Sequence, residues 1–193
     1  LPLHIFEERY RLMINRCIEE ESEFGVLLAR GKEIEPLGTL ARIDSVINEY
    51  DDGRLDILTV GTERIEVTEF HTDAPYLQGT VEEIHDLPGP GQEDIASAAE
   101  TAMGALEAFA REAGYSLDRS AIDPLGHEEL SFFLAATDIF SLEEKQKFLR
   151  LRSTGERLKA VTESLEGMAE QRRQREKIRQ FLGSEGDISH LFN

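Results

Sequence analysis

The sequence predicts an α+β protein, with a β-rich N-terminal part that contains one helix and an all-helical C-terminal part. Short alternating apolar segments separated by turn residues run to about residue 86, and apolar residues at helical spacing follow from about residue 92. Between them, Leu87–Gly91 holds two prolines and two glycines, which interrupt helix and strand alike. We therefore expect a β-rich subdomain over 1–86, a linker over 87–91, a helical subdomain over 92–182 and a flexible tail over 183–193.

The β-rich part opens with a helix. Apolar residues recur every three or four positions, which predicts an amphipathic helix that ends near Glu20. Its apolar stripe includes the single cysteine. We expect this thiol to be buried and unreactive, because the sequence shows no neighbouring base that could activate it. The stripe consists of Phe6, Tyr10, Met13, Ile14, Cys17 and Ile18.

Several short strands joined by tight turns follow this helix, and they favour a small, mostly antiparallel barrel or sandwich. Asp52-Gly53 is typical of a hairpin turn, and Gly61-Thr62 predicts a further turn. The segment Gly31–Gly38 is rich in turn-forming residues and predicts a connection between two strands. The predicted strands lie near residues 24–28, 41–47, 55–57, 65–67 and 77–81.

The spacing of apolar residues predicts four helices in the C-terminal part. Two of them begin with the S-x-x-E pattern of a capping box, in which serine and glutamate satisfy each other's backbone amides. Two of the predicted helices span about 95–114 and about 128–136. The other two begin at the capping boxes formed by Ser141 with Glu144 and by Ser153 with Glu156. The last helix loses its apolar stripe at Gln171–Lys177, which we expect to project into solvent or to meet an acidic partner.

The composition excludes several classes of function. The formal net charge is −18, and an acidic surface repels phosphate backbones, which disfavours nucleic-acid binding. No apolar run approaches the roughly 20 residues that span a bilayer, and a single cysteine suits a reducing compartment. We therefore expect a cytoplasmic protein with neither a membrane nor a nucleic-acid partner.

No motif in the sequence predicts a catalytic, cofactor or metal site. The nearest approach to a phosphate-binding loop, Gly25–Lys32, has one residue too many and is followed by Glu33 where a hydroxyl is required. The five histidines are scattered, without the spacing that would turn two of them toward one metal ion. We expect no cofactor, no metal and no enzymatic activity.

Five motifs recur in the order and spacing of one family. They are Pro2–Tyr10 (P-L-x-I-F-E-x-R-Y), Gly38–Ile43 (G-T-x-A-x-I), Gly61 with Arg64-Ile65 (G-x-x-R-[IF]), Leu142–Gln146 (L-x-x-K-Q) and Glu156–Leu158 (E-R-L). Together they resemble the LON substrate-binding domain, the N-terminal region of ATP-dependent Lon proteases, which also occurs in stand-alone bacterial proteins and in cereblon. The resemblance extends from about Leu1 to about Gly167.

This resemblance implies a PUA-like β pseudobarrel followed by a helical bundle, and a role in engaging polypeptides. We expect non-catalytic binding of unfolded polypeptide or of a specific partner protein. Family members usually carry another strand before the opening motif, so we expect a sheet edge to be left unpaired here. The alternatives are a hydrolase related to ATP-dependent peptidases, a fragment of a full Lon protease, and an RNA-binding PUA-like protein.

Two features are candidates for binding. Phe132 and Phe133 are neighbours in a predicted helix and point about 100° apart, so both cannot easily face one core. We consider them for substrate binding, with packing between two elements as the alternative. The basic end of the last helix is a candidate for binding an acidic partner or a second copy of the chain, with a solvated helix end as the alternative. Its residues are Arg172, Arg173, Arg175, Lys177 and Arg179.

Overall fold

The computed structural model describes residues 1–87, 92–120 and 122–184. The chain forms two compact units, an N-terminal unit over Leu1–His85 and a C-terminal unit that begins at Asp86. Within the described residues, the first unit holds a five-stranded antiparallel sheet and one helix, and the second holds four helices. The predicted α+β class is confirmed. Most of the predicted linker and of the predicted tail lies outside the described residues.

The strands of the N-terminal unit form one sheet in the order β1-β4-β3-β2, and β5 pairs with β4. In chain order its elements are β1 (Pro2–Ile5), α1 (Glu8–Glu20), β2 (Phe24–Arg30), β3 (Glu33–Glu49), β4 (Leu55–His71) and β5 (Gln78–Glu83). Strand β4 bonds β3 along one side, and along its other side it bonds β1 near Ile57 and β5 near Val67. Strand β2 is therefore the outer strand on one side of the sheet, and β1 and β5 share the other side.

Of the predicted turns, the hairpin at Asp52-Gly53 is confirmed, since it joins β3 to β4 with Gly53 at φ 80°. The turn predicted at Gly61-Thr62 is wrong, because β4 runs through it without interruption. The β3–β4 register shifts there, with Ala41 opposite Gly61 but Thr39 opposite Arg64, so β4 holds an extra residue in a β-bulge. Glycine inside a strand often marks a bulge of this kind.

The connection predicted over Gly31–Gly38 is also wrong in extent. Arg30 pairs with Glu33, which leaves a two-residue loop that begins with Gly31 at φ 64°. Strand β3 then includes Gly38, whose hydrogen points at β2. A Cβ atom there would overlap the side chain of Leu27 and the carbonyl oxygen of Val26. The close approach of β2 to β3 requires this glycine.

Helix α1 buries a narrower face than its sequence stripe indicates. Ile14 and Cys17 are buried and belong to a small apolar core, which confirms that the cysteine is buried. The helix begins at Glu8. Met13 is half-buried and packs against the same core, whereas Phe6 before the helix and Tyr10 and Ile18 within it are exposed. The sheet contributes the rest of this core, namely Ile5, Phe24, Ala41, Leu55 and Ile57.

The helices of the C-terminal unit are α2 (Gln92–Glu112), α3 (His127–Ala136), α4 (Leu142–Arg150) and α5 (Thr154–Ser184), as the sequence predicts to within a few residues. The capping box before α4 is confirmed: Ser141 Oγ accepts from the Glu144 amide at 3.3 Å, and Glu144 Oε2 accepts from the Ser141 amide at 3.0 Å. One apolar core joins these helices. Its buried residues include Ala102, Met103, Leu106, Leu134, Phe140, Phe148, Leu158, Val161 and Leu165.

A buried arginine lies beside this core. The side chain of Arg157 on α5 is fully buried, and its guanidinium donates to Asp86 Oδ2 at 2.7 Å. It also donates to Ser131 Oγ and to the carbonyl oxygen of Leu151, both at 2.8 Å. Because an unpaired buried charge is strongly destabilising, these acceptors are what allow Arg157 to be buried. The pair also attaches the first residue of the unit to its last helix.

Candidate functional site

The N-terminal unit contains an open groove with a volume of about 350 Å³. It is lined by α1, by β2 with the adjoining part of β3, and by β4 and β5 with the loop between them. Its size is at the lower end of the range for ligand sites, so it has room for a few side chains. The apolar part of its lining includes Phe24, Leu27, Ile65, Val67, Phe70 and Val81.

Two outer strands of the sheet line this groove together. Strand β2 contributes Gly25 and Leu27, and β5 contributes Gly79 and Val81. Among the described strands, β2 pairs only with β3 and β5 pairs only with β4. Each of them therefore has one edge whose backbone N–H and C=O groups bond to no other described strand, and such an edge is a template for pairing with another chain.

Glycine at two positions shapes the groove. A Cβ atom on Gly25 would meet only Ile65 Cδ1, at 3.5 Å, so a side chain there would fit without overlap and would occupy groove space. A Cβ atom on Gly79 would lie 2.8 Å from Val67 Cγ1, which is too close. Gly79 therefore allows β5 to pack against Val67, whereas Gly25 leaves space empty.

Apolar side chains in the lining are partly open to solvent. Phe70 is 40% exposed, Leu77 is 41% exposed and Val81 is 39% exposed. Contiguous exposed apolar surface of this kind is uncommon away from binding sites, because it gains free energy when it is covered. The groove therefore offers apolar surface that a ligand can cover.

The charged residues of the groove are mostly acidic. Arg16 Nε donates to Glu20 Oε1 at 2.9 Å, and Arg16 also shares a hydrogen bond with Tyr76 in the loop between β4 and β5. These bonds, first to Glu20 and then to Tyr76, raise the pKa of Arg16 above its ordinary value. Glu23 also lines the groove, so its charged residues are one arginine and two glutamates.

The two predicted phenylalanines lie in the C-terminal unit and do not line this groove. Phe132 is half-buried, and the guanidinium carbon of Arg157 lies 3.6 Å from its ring centroid. Phe133 is 42% exposed. The two rings therefore diverge, as adjacent helical positions require. Their role in substrate binding stays a prediction.

The five basic residues of the last helix are all exposed on α5. Arg173 forms ion pairs with Glu112 Oε1 of α2 at 2.8 Å and with Glu170 Oε2 at 3.2 Å. Arg173 is therefore engaged within its own unit. The role of Arg172, Arg173, Arg175, Lys177 and Arg179 in partner binding stays a prediction.

The groove was not predicted from the sequence, in which residues 24–28 form a short apolar run of the kind found in buried strands. In the structure this segment is part of β2, an outer strand whose Val26, Leu27 and Leu28 are only half-buried. One signal could have indicated an edge open to a ligand: β2 carries no charged residue before Arg30, although exposed sheet edges usually carry charges that prevent pairing.

A hydrogen-bonded set of polar side chains links β1 to β4. His4 Nδ1 and Asp56 Oδ1 lie 2.6 Å apart, and the Tyr50 hydroxyl donates to Asp56 Oδ2 at 2.8 Å. These bonds, first from His4 and then from Tyr50, lower the pKa of Asp56.

In the described residues no group of three or more His, Cys, Asp or Glu side chains could hold a metal ion. Over the same residues, no helix has the length and apolarity to cross a membrane.

The chain matches the family model described as the ATP-dependent protease La (LON) substrate-binding domain over residues 1–167. Two solved structures are similar to it. The Lon N-terminal domain protein from Xanthomonas campestris is 21% identical to this chain and has a TM-score of 0.63, and the match covers 83% of this chain and 86% of the Xanthomonas chain. The N-terminal domain of a Mycobacterium avium complex Lon protease is 18% identical and has a TM-score of 0.64, and the match covers 86% of this chain and 90% of the Mycobacterium chain. Because the family model spans most of its length, this chain belongs to the LON substrate-binding domain family.

Proposed function

We propose that this chain is a non-catalytic module that binds polypeptide, either unfolded segments or a specific partner protein. The observation that carries this proposal is the groove of the N-terminal unit, where exposed apolar side chains lie beside unpaired strand edges in a chain of this family. An extended peptide binds such a site through main-chain hydrogen bonds to the edge, and its side chains enter the apolar lining.

The finer architecture belongs to the same proposal. The β-rich part, about 1–86, forms a PUA-like pseudobarrel, and residues 92–182 form a helical bundle, with 87–91 as a linker and 183–193 as a flexible tail. The protein acts in the cytoplasm, and the basic end of α5 serves homo-oligomer or partner contacts. The acidic composition supports a protein ligand over a nucleic acid.

The test measures binding of the fluorescently labelled chain to an array of overlapping peptides, each about 12 residues long, that cover casein. We expect apolar peptides to retain the protein and polar ones not to. Gly25→Leu should weaken this retention by at least about tenfold, because its side chain fills groove space. The matched control is Ala29→Leu, which adds the same side chain to the same strand outside the groove lining.

If no peptide in the array retains the protein, the proposed function is wrong. If peptides bind equally to both variants and to the unaltered chain, the groove is not the site. Hydrolysis of ATP or cleavage of casein by the purified protein would contradict its non-catalytic character. Circular dichroism of each variant shows whether the fold is retained.

A further inference from the structure

We propose that the groove selects extended apolar segments flanked by lysine or arginine, and that these segments add a strand to the open edge of β5. This inference rests on the proposed function, since it names the class of polypeptide that the same groove binds. Two independent features of the groove support it: the alternation of side chains along β5 and the charge around the groove.

Strand β5 presents a regular template. All six of its residues are exposed, and its first four, Gln78 to Val81, include neither proline nor a charged residue, the features that usually protect a sheet edge. Gly79 and Val81, two positions apart, both line the groove, and Gln78 lines it at the start of the strand. A strand added to this edge would direct every second side chain to the same face as Val81. Apolar residues at alternate positions of the ligand would therefore meet Phe70 and Leu77 in the lining.

The charge around the groove favours a basic ligand. Glu20 and Glu23 line it, and β5 ends with Glu82 and Glu83. Among the described residues of the lining, Arg16 is the one cation, and it is bonded to Glu20, so it cannot offset the remaining acids. An apolar segment with acidic flanks would bring like charges together, whereas basic flanks find complementary charges. The apolar lining selects the apolar side chains of the ligand, and the acidic residues around the groove select basic residues on either side of that apolar segment.

The test uses four synthetic peptides of about 10 residues with the same alternating valine core. Two lysines, two glutamates or two serines flank this core, and the fourth peptide has lysine flanks with proline at two core positions. Binding to the 193-residue chain is measured by fluorescence anisotropy. We expect the lysine-flanked peptide to bind about tenfold more tightly than the glutamate-flanked one at about 0.05 M salt, and this ratio to fall toward one near 0.5 M.

Proline tests the strand itself, because it removes the amide hydrogens that a sheet ladder needs. We expect the proline peptide to bind at least about tenfold more weakly than its lysine-flanked parent. The double variant Glu23→Lys with Glu82→Lys should abolish or reverse the preference for lysine flanks. Glu49→Lys, which reverses one exposed charge outside the groove lining, should leave that preference unchanged.

The outcomes separate this inference from the proposed function. Binding that is independent of flank charge, or unaffected by proline, overturns the inference and leaves polypeptide binding intact. A concentration-dependent dimer that Gly25→Leu dissociates would show a second copy in the groove and would overturn it too. The final arm uses the complete gene product with any residues that precede Leu1. Retained peptide binding supports the inference, and lost binding shows that the chain's own strand fills the groove, which overturns it.

Discussion

The two units of this protein satisfy their backbones in different ways. In the C-terminal unit the helices bond their own backbones, enclose a large apolar core and surround a buried arginine with acceptors. In the N-terminal unit the buried core is smaller, and the three outer strands β1, β2 and β5 each keep an edge that pairs with no other described strand. A strand edge can bond to another polypeptide, whereas the interior of a helix cannot. The sheet therefore keeps backbone groups that the proposed ligand can bond, whereas the helices bond their backbones among themselves.

The largest effect is expected from removing the buried charge of Arg157, which stabilises the C-terminal unit. Arg157→Leu should destabilise that unit by about 3–5 kcal/mol, because the Asp86 carboxylate loses its guanidinium and keeps only neutral donors such as the Thr154 hydroxyl while remaining largely buried. Hydrogen exchange read by mass spectrometry measures this loss separately in each unit. Arg172→Leu, on the exposed part of the same helix, is the control and should change stability by less than about 0.5 kcal/mol.

Adding Asp86→Leu to the Arg157→Leu chain should recover part of the loss, since both charges are then removed together. A loss below about 1 kcal/mol in the single variant would show that the pair is not essential, and it would weaken the contrast between the units.

The next effect concerns strand packing in the N-terminal unit. Gly38→Ala should destabilise this unit by about 1–3 kcal/mol, because its Cβ would overlap Leu27 and the Val26 carbonyl oxygen. Gly25→Ala is the matched control on the facing strand, with only Ile65 Cδ1 nearby, and should change stability by less than about 0.5 kcal/mol. Urea denaturation of both variants measures the difference. Equal stabilities would show that β2 can shift away from β3.

A smaller effect should stabilise the helical unit. Gly167 lies on the exposed surface of α5, and a Cβ atom there would meet no other atom within 4 Å. Gly167→Ala should therefore add about 1 kcal/mol, because alanine restricts the unfolded chain and favours helix. The midpoint of urea unfolding should rise while its slope stays constant. A fall in the midpoint would indicate that this position needs glycine for a reason other than helix formation.

The smallest effect is a pH dependence of the N-terminal unit. Bonds from His4 and Tyr50 lower the pKa of Asp56 below its ordinary value near 3.8. A lowered pKa stabilises the fold above the ordinary pKa, and this stabilisation is lost as the pH falls through the lower folded-state pKa. At pH 6 the melting temperature of Asp56→Asn should be lower than that of the unaltered chain. This difference in melting temperature should shrink below about pH 3. A difference that grows on acidification would contradict this sign.

Local sequence patterns predicted the elements that depend on neighbouring residues. Ser141 with Glu144 predicted the start of α4, since a capping box needs only residues three positions apart. Asp52-Gly53 predicted the β3–β4 hairpin for the same reason. Gly38 and Gly61 were misinterpreted as turn residues, because a close strand approach and a bulge depend on a partner strand far away in the sequence.

The sequence by itself determined the α+β class, the change from strands to helices near residue 86, the acidic charge and the membership of the family. Tertiary structure alone decided that β2 is an outer strand, that α1, β2 and β5 line one groove, and that Phe132 packs under a guanidinium. Helix starts, hairpins and charge are properties of adjacent residues, and so they can be seen in the sequence. A groove depends on which edges remain unpaired once the whole sheet has formed, and long-range strand pairing sets that outcome.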